Sequence, residues 1–370
     1  MIATTLDLLF TGDLVLDAPD PDHWLSGIAP MTRSAQLTIG HLEVPHTRRG
    51  AELNADVPAP GAEPEYLAAL QRAGFDALTL AGNHIADCGP EGIADTRDEL
   101  DRLGIQYCGA GPDLAAARAP AYLACGGRRV ALLSYNCVGP EASWAAAEHA
   151  GCAYVRIETA DGSAIAPAAP LTQADPASLA LLAQDVAAAS ADSDLVVVAL
   201  HKGIVHTPAR LAPYERSVAH VAVDAGAGIV VSHHAHIVRG IELYRGKPIY
   251  HGLGNGCVVT RALSLEQTHP ARAAWARRRR QMFGFEPDPA YTLAPFHPEA
   301  IHAMLARVQC LDSGQIEAGF IPVYVEPPGR PMLADAAFGR KVIDYITRIS
   351  ERAGLPSLSL TQRDDMVVIA

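Results

Sequence analysis

A chain of 370 residues with 49% hydrophobic and 19% charged side chains can bury a sizeable core, in one large α/β domain or two smaller ones, and is not a disordered composition. With 29 basic residues against 41 acidic ones its formal charge is −12, which argues against a nucleic-acid-binding surface spread over the whole protein. Its seven cysteines are widely spaced with no CxxC pair, and neither a signal peptide nor an apolar run of membrane-spanning length is seen, so a reduced, cytoplasmic protein with no membrane association is expected.

From the N-terminus, LDLLFTGD (6–13) reads as a buried strand, and a helix is expected over 64–74. FDALTLAGNH (75–84) reads as a strand, a helix follows over 90–103, and RRVALLSYN (128–136) is the next strand. A helix over 176–190 precedes the strand DLVVVALHKG (194–203), and a helix over 213–226 precedes AGIVVSHHAH (227–236) and KPIYHGLGN (247–255). Residues 259–300 break this rhythm as a helical and loop insertion; a hairpin over 306–326 and a helix around 335–353 close the chain. Such alternation favours an α/β domain, in which ligands collect beyond the carboxyl ends of the strands.

Those strand ends carry the polar residues. Alternation along IVVSHHAHIV places His234 and His236 on one side and His233 on the other. Other tips add Asp13, Glu43 in IGHLEVPHT, Asn83 with His84, and His201. Imidazoles, carboxylates and an amide carbonyl are the ligand types of a Zn, Mn, Fe or mixed divalent site. A single histidine or GD, GN turn at a strand end is commonplace; the ordered recurrence of such residues is what points to a metal.

Taken together, TGDLVLD, GHLE, AGNHIADCGPEGIADTRDELDRLGIQYCGAG, ALHKG and DAGAGIVVSHHAHIVRGIELYRGKPIYHGLGN resemble the CapA-like family, named for poly-γ-glutamate capsule synthesis, within the calcineurin-like metallophosphoesterases. The resemblance runs from about residue 6 to 257. It implies a four-layer αββα sandwich of the metallo-dependent phosphatase type, as a single domain over 1–370 with an inserted segment at about 259–305. It also implies one or two divalent metal ions. Asp13 and His236 fall at one position, Asn83, His201 and His234 at the other, and Glu43 bridges them. His84 takes the place of a histidine that protonates a leaving group in phosphoesterases, with Asn255 nearby.

The chain departs from the family pattern at several points. Asp-x-His becomes Asp13-Leu14-Val15, so one ligand is missing; GNLE becomes GHLE, with His41 for Asn. HWGxE becomes HKGIV, with Lys202 for Trp and Val205 for the acid, and LGNF becomes LGNG, with Gly256 opening space. His41 and His206 are candidate acid/base groups, whereas Cys88 and Cys257 read as buried thiols. In the insertion, WARRRRQ (275–281) reads as a solvated helix face or a docking site for an acidic peptide or a carboxylate. Trp275, Phe283, Phe285, Tyr291 and Phe296 wall a pocket or pack the insertion down.

These residues lead to three expectations of function. The first is metal-dependent phosphoester hydrolysis with His84 as acid, weakened by the damaged Asp-x-His and the absence of a phosphate cradle. The second, preferred, follows from a branch of the same family that epimerises lasso-peptide precursors (MslH-like). There a divalent ion polarises a carboxylate or peptide oxygen, and two acid/base groups invert the Cα of a residue in a ribosomally made precursor peptide, the C-terminal one being expected. Asp13 and His297 are the expected pair, with His84 and Lys202 in reserve. The third is a non-catalytic, polyglutamate-handling scaffold.

Overall fold

The protein is described by a computed structural model covering residues 4–51, 53, 59–264, 268–311 and 315–370. Two large sheets face one another. In the first, the long strand Thr4–Asp17 runs parallel to Leu37–Leu42, which leads on to Ala77–Thr79 and Gln106–Cys108. Its opposite edge is shared: residues 4–10 pair antiparallel with His302–Leu311, and residues 13–17 pair parallel with Asn255–Thr260. Arg128–Asn136, Leu195–Lys202, Ile229–His234 and Lys247–Tyr250 form the parallel heart of the second sheet.

Strand alternation decides which side each residue serves. Leu6, Leu8 and Phe10 of the first sheet meet Leu132, Val197, Ala199 and Val231 of the second in one core between the sheets. Residues of the other parity, such as Leu9, Leu78, Val198 and Val230, face outward. There they are covered by the helices Gly89–Leu103 on one side and Pro176–Ala191 and Pro213–Asp224 on the other. Each side chain so buried contributes roughly 1.5–3 kcal/mol. The result is the four-layer helix–sheet–sheet–helix arrangement expected above. A last helix, Ala336–Arg352, inserts Val342, Tyr345 and Ile346 into the core between the sheets.

Three element readings are corrected. The strand expected over 75–84 spans only Ala77–Thr79, since the chain turns away at Leu80 to present Asn83 and His84. That over 247–255 is two strands in different sheets, Lys247–Tyr250 and Asn255–Thr260, because Gly254 adopts φ +77 between them. The helix over 64–74 is a 3₁₀ turn, Pro64–Tyr66, followed by Leu67–Arg72. Within the insertion the helix Pro270–Phe283 is followed by irregular chain with turns and by the 3₁₀ helix Pro298–Ile301, which leads into the strand that starts at His302. Among the described residues no helix is long and apolar enough to cross a membrane.

Candidate metal centre

The carboxyl ends of three parallel strands, Leu37–Leu42, Leu195–Lys202 and Ile229–His234, meet the interior of the long first strand at one rim of the inter-sheet space. Asp13 is delivered there by an irregularity in the first strand between Phe10 and Asp13. Gly12 makes the approach possible: a Cβ on it would lie 1.8 Å from the Gly254 carbonyl oxygen. On the neighbouring strand His41 is in register with Asp13, and Glu43 follows two residues later. His201 ends its strand on the inner face, sharing parity with Val197 and Ala199. His234 and His236 reach the rim through left-handed backbone, with φ 90 and 52. Such conformations cost of order 1–3 kcal/mol each at a non-glycine residue and gather at functional sites.

The donor atoms converge. His236 Nε2 lies 3.2 Å from Glu43 Oε1, while its Nδ1 lies 3.8 Å from Asp13 Oδ2 and 3.0 Å from Asn255 Oδ1. His201 Nε2 lies 2.7 Å from Asn83 Oδ1 and 3.1 Å from His234 Nδ1, and the backbone N–H of His234 donates to Asp13 at 3.2 Å. Two sets, Asp13–Glu43–His236 and Asp13–His41–His201, each bring three ligand atoms within 4.8 Å of one another. Glu43 Oε2, His234 Nε2 and His201 Nδ1 are buried with no hydrogen-bond partner. Buried acceptors without donors are costly, so this donor set fits a divalent cation in chemistry and placement.

The electrostatics fit as well. Burial, then Glu43, raises the Asp13 carboxyl well above its usual range, while His236 holds Glu43 low despite its burial. Burial pushes the His234 imidazole down to about 3 and keeps His201 far below its ordinary value, so both present neutral nitrogen. His84 Nδ1 contacts Asp87 Oδ2 at 2.7 Å, which orients the ring.

A cavity of about 300 Å³ opens onto Glu43, Asn83, His84, His234 and His236. Its walls are largely apolar, from Val15 and Val258 on the sheet and Val44 just beyond it to Trp275, Phe283 and Phe296 of the insertion, with Arg278 also in its lining. Phe296 stacks on His236 with ring centroids 4.6 Å apart, and Phe283 and Phe285 each meet His206 edge-on at 5.0 Å. Tyr291 instead packs the insertion down, donating to the Val325 carbonyl at 3.0 Å.

The structure thus brings Asp13, Glu43, Asn83, His201, His234 and His236 together, with His84 beside them. It does not bring Lys202. Adjacent strand residues face opposite ways, so Lys202 points to the helix layer, where Nζ lies 3.2 Å from Glu215 and 3.1 Å from His251, wholly buried. His297 lies behind Phe296 and lines a separate cavity of about 110 Å³ with Asn255, its Nδ1 accepting from the Glu299 N–H. Gly256 opens no space. A Cβ there would meet the Gly12 carbonyl at 2.7 Å, so backbone crossing requires the glycine. His233, expected on the other side, shares the inner face with Ile229 and Val231 and stacks on His41 at 4.6 Å, its Nε2 3.1 Å from the Thr11 carbonyl; it is His234 that leaves the strand's alternation, through its left-handed backbone. The side chains of Arg279 and Arg280 lie outside the described ones.

One residue of the site was not read from sequence, and another was read in a different role. Asp17 lines the cavity and accepts from Thr260 Oγ1 at 2.8 Å, and burial raises its carboxyl to about 6. The spacing of Asp13, Val15 and Asp17 along one strand carried that signal. His41, weighed only as an acid/base group, sits among the donors.

The bacterial capsule synthesis protein family matches residues 7–258. A probable polyglutamine synthesis accessory protein of Mycobacterium tuberculosis is 31% identical over 240 residues, covering 63% of this chain and 58% of that protein. Capsule biosynthesis protein CapA of Bacillus anthracis is 26% identical over 267 residues, covering 67% of this chain and 58% of its own length. The chain therefore spans under two thirds of these relatives. A calcineurin-like phosphoesterase of Bacillus subtilis superposes with a TM-score of 0.37 at 10% identity, over 94% of this chain and 97% of that one; the fold description rests on the sheets themselves.

Proposed function

The chain belongs to the bacterial capsule synthesis protein family, and we propose that it is a metal-dependent enzyme acting on a peptide, inverting the Cα of a C-terminal residue in a ribosomally made precursor of the lasso type. One observation carries the choice of substrate: the cavity over the donor cluster is walled by Val, Trp and Phe side chains. That lining suits an apolar residue with its carboxylate turned to the cluster, and suits a phosphate ester or a run of glutamates poorly.

A divalent cation held by Asp13, Glu43, Asn83, His201, His234 and His236 would supply Lewis-acid polarisation of a substrate oxygen. The chain's own groups do the rest. Inversion needs one group to take the Cα proton and another to return a proton to the opposite face. Asp13, among the donors, and His297, whose cavity adjoins the main one across Phe296 and also holds Asn255, are the proposed pair, which requires Phe296 to turn aside for both to meet one Cα; His84, oriented by Asp87, lines the cavity as a further proton carrier.

A second reading follows from the relatives named for capsule biosynthesis and polyglutamine synthesis: hydrolysis at the same cation, or handling of polyglutamate. Incubation in D₂O with peptides ending in an apolar residue, a γ-glutamyl peptide and a phosphodiester separates the readings. A one-deuteron mass gain without cleavage is expected. Asp13→Ala and His297→Ala should each slow it by about 100-fold or more. Cleavage of either other substrate, without exchange, selects the second reading, and full exchange in both variants rejects the pair.

A further inference from the structure

We propose that His41 is a metal ligand, so that Asp13, His41 and His201 form a cation position beside that of Asp13, Glu43 and His236. The inference rests on the cation reading above, not on the choice of substrate.

Parity and register place the ring. Leu37 and Ile39 face the core between the sheets, so His41, two residues on, faces the same way and lies in register with Asp13. It stacks between two other imidazoles, with centroids 4.7 Å from His201 and 4.6 Å from His233. Its ligand atom falls within 4.8 Å of those of Asp13 and His201.

The hydrogen bonds suit this role. Thr79 Oγ1 lies 3.0 Å from His41 Nδ1 and 3.3 Å from the Gly40 carbonyl. In the tautomer with its proton on Nδ1, the ring donates to the Thr79 hydroxyl, which turns its own proton to Gly40, and Nε2 keeps a bare lone pair. That Nε2 is buried without a hydrogen-bond partner. A ring nitrogen held by an outer hydrogen bond while the other faces a carboxylate and a second imidazole is the usual arrangement of a metal-ligating histidine. Space is kept by the glycine of AGNH: a Cβ at Gly82 would lie 3.0 Å from His41 Nε2 and 3.4 Å from His201 Nδ1.

The test is cation stoichiometry and affinity, measured with Co²⁺ and Mn²⁺ by calorimetry and by elemental analysis after dialysis. His41→Ala should lose one equivalent, or bind it about 100-fold more weakly, with a matching loss of Co²⁺ absorption. His41→Leu, which fills the same space without a donor atom, serves the same purpose should the alanine variant fail to fold. His236→Ala should weaken the other position. Unchanged stoichiometry and affinity in a folded His41 variant overturns the assignment while leaving the cation reading standing; a wild-type protein that binds neither metal removes both.

Discussion

In the metal-free protein His236 faces two carboxylates at once. Burial alone would lower its pKa, but Glu43 and then Asp13 reverse this and hold it at about 9. A histidine raised above its unfolded value of about 6.5 stabilises the fold fully below that pH. The contribution, at most about 3 kcal/mol, is lost as pH rises through 9. Asp13, raised by burial and by Glu43, acts in the same direction, losing its stabilisation as pH climbs from the unfolded carboxylate range through its folded value. Glu43, held low, contributes only to acid unfolding, with stability lost as pH falls through its folded value. Urea unfolding of the metal-free protein should therefore show stability falling between pH 6.5 and 9, and His236→Asn should flatten that slope. Cation binding displaces the same protons, so affinity should climb over the interval. A slope indifferent to the His236 substitution would contradict this.

At the level of a strand, one residue of offset separates site from support. His201 shares the inner face with Val197 and Ala199 and joins the donors, whereas Lys202 shares the outer face with Val198 and Leu200. There Lys202 joins a buried network in which Arg239 also donates to Glu215 at 3.0 Å and His251 contacts Glu242 at 3.1 Å. Removing one charge from such a network leaves its partners poorly compensated, at a cost of about 3 kcal/mol. Lys202→Met should lower the unfolding free energy by that order while folded protein keeps its cation stoichiometry and its exchange rate. Loss of exchange with stability intact would return Lys202 to the chemistry.

Across the whole molecule, the insertion turns an exposed cluster into an enclosed one. Trp275, Phe283 and Phe296 come from a segment outside the family match, yet they supply the cavity wall opposite Val15 and Val258. Phe296 also divides the main cavity from the one that holds His297. Phe296→Ala should weaken binding of peptides with an apolar C-terminal residue about ten-fold, since it removes some 1.5 kcal/mol or more of apolar contact. Calorimetric titration checks this, and the cation count should stay unchanged because no ligand is lost.

The donors were legible in the sequence because each ends an apolar run, and a strand's carboxyl end is marked locally by Gly, Asn, Asp and His. The α/β class followed from the same short-range periodicity, whereas the four-layer order was implied by the family resemblance. Three-dimensional packing alone decided the rest. Whether His297 and Lys202 face the donors depends on loop course and strand parity, and the Asp13–His41 register depends on pairing between strands nearly thirty residues apart. The left-handed turns at His234 and His236 bring both rings to the rim where simple alternation had seemed sufficient. Local pattern encodes what a segment prefers by itself; which side chains share a cavity is set by contacts between segments that no local pattern contains.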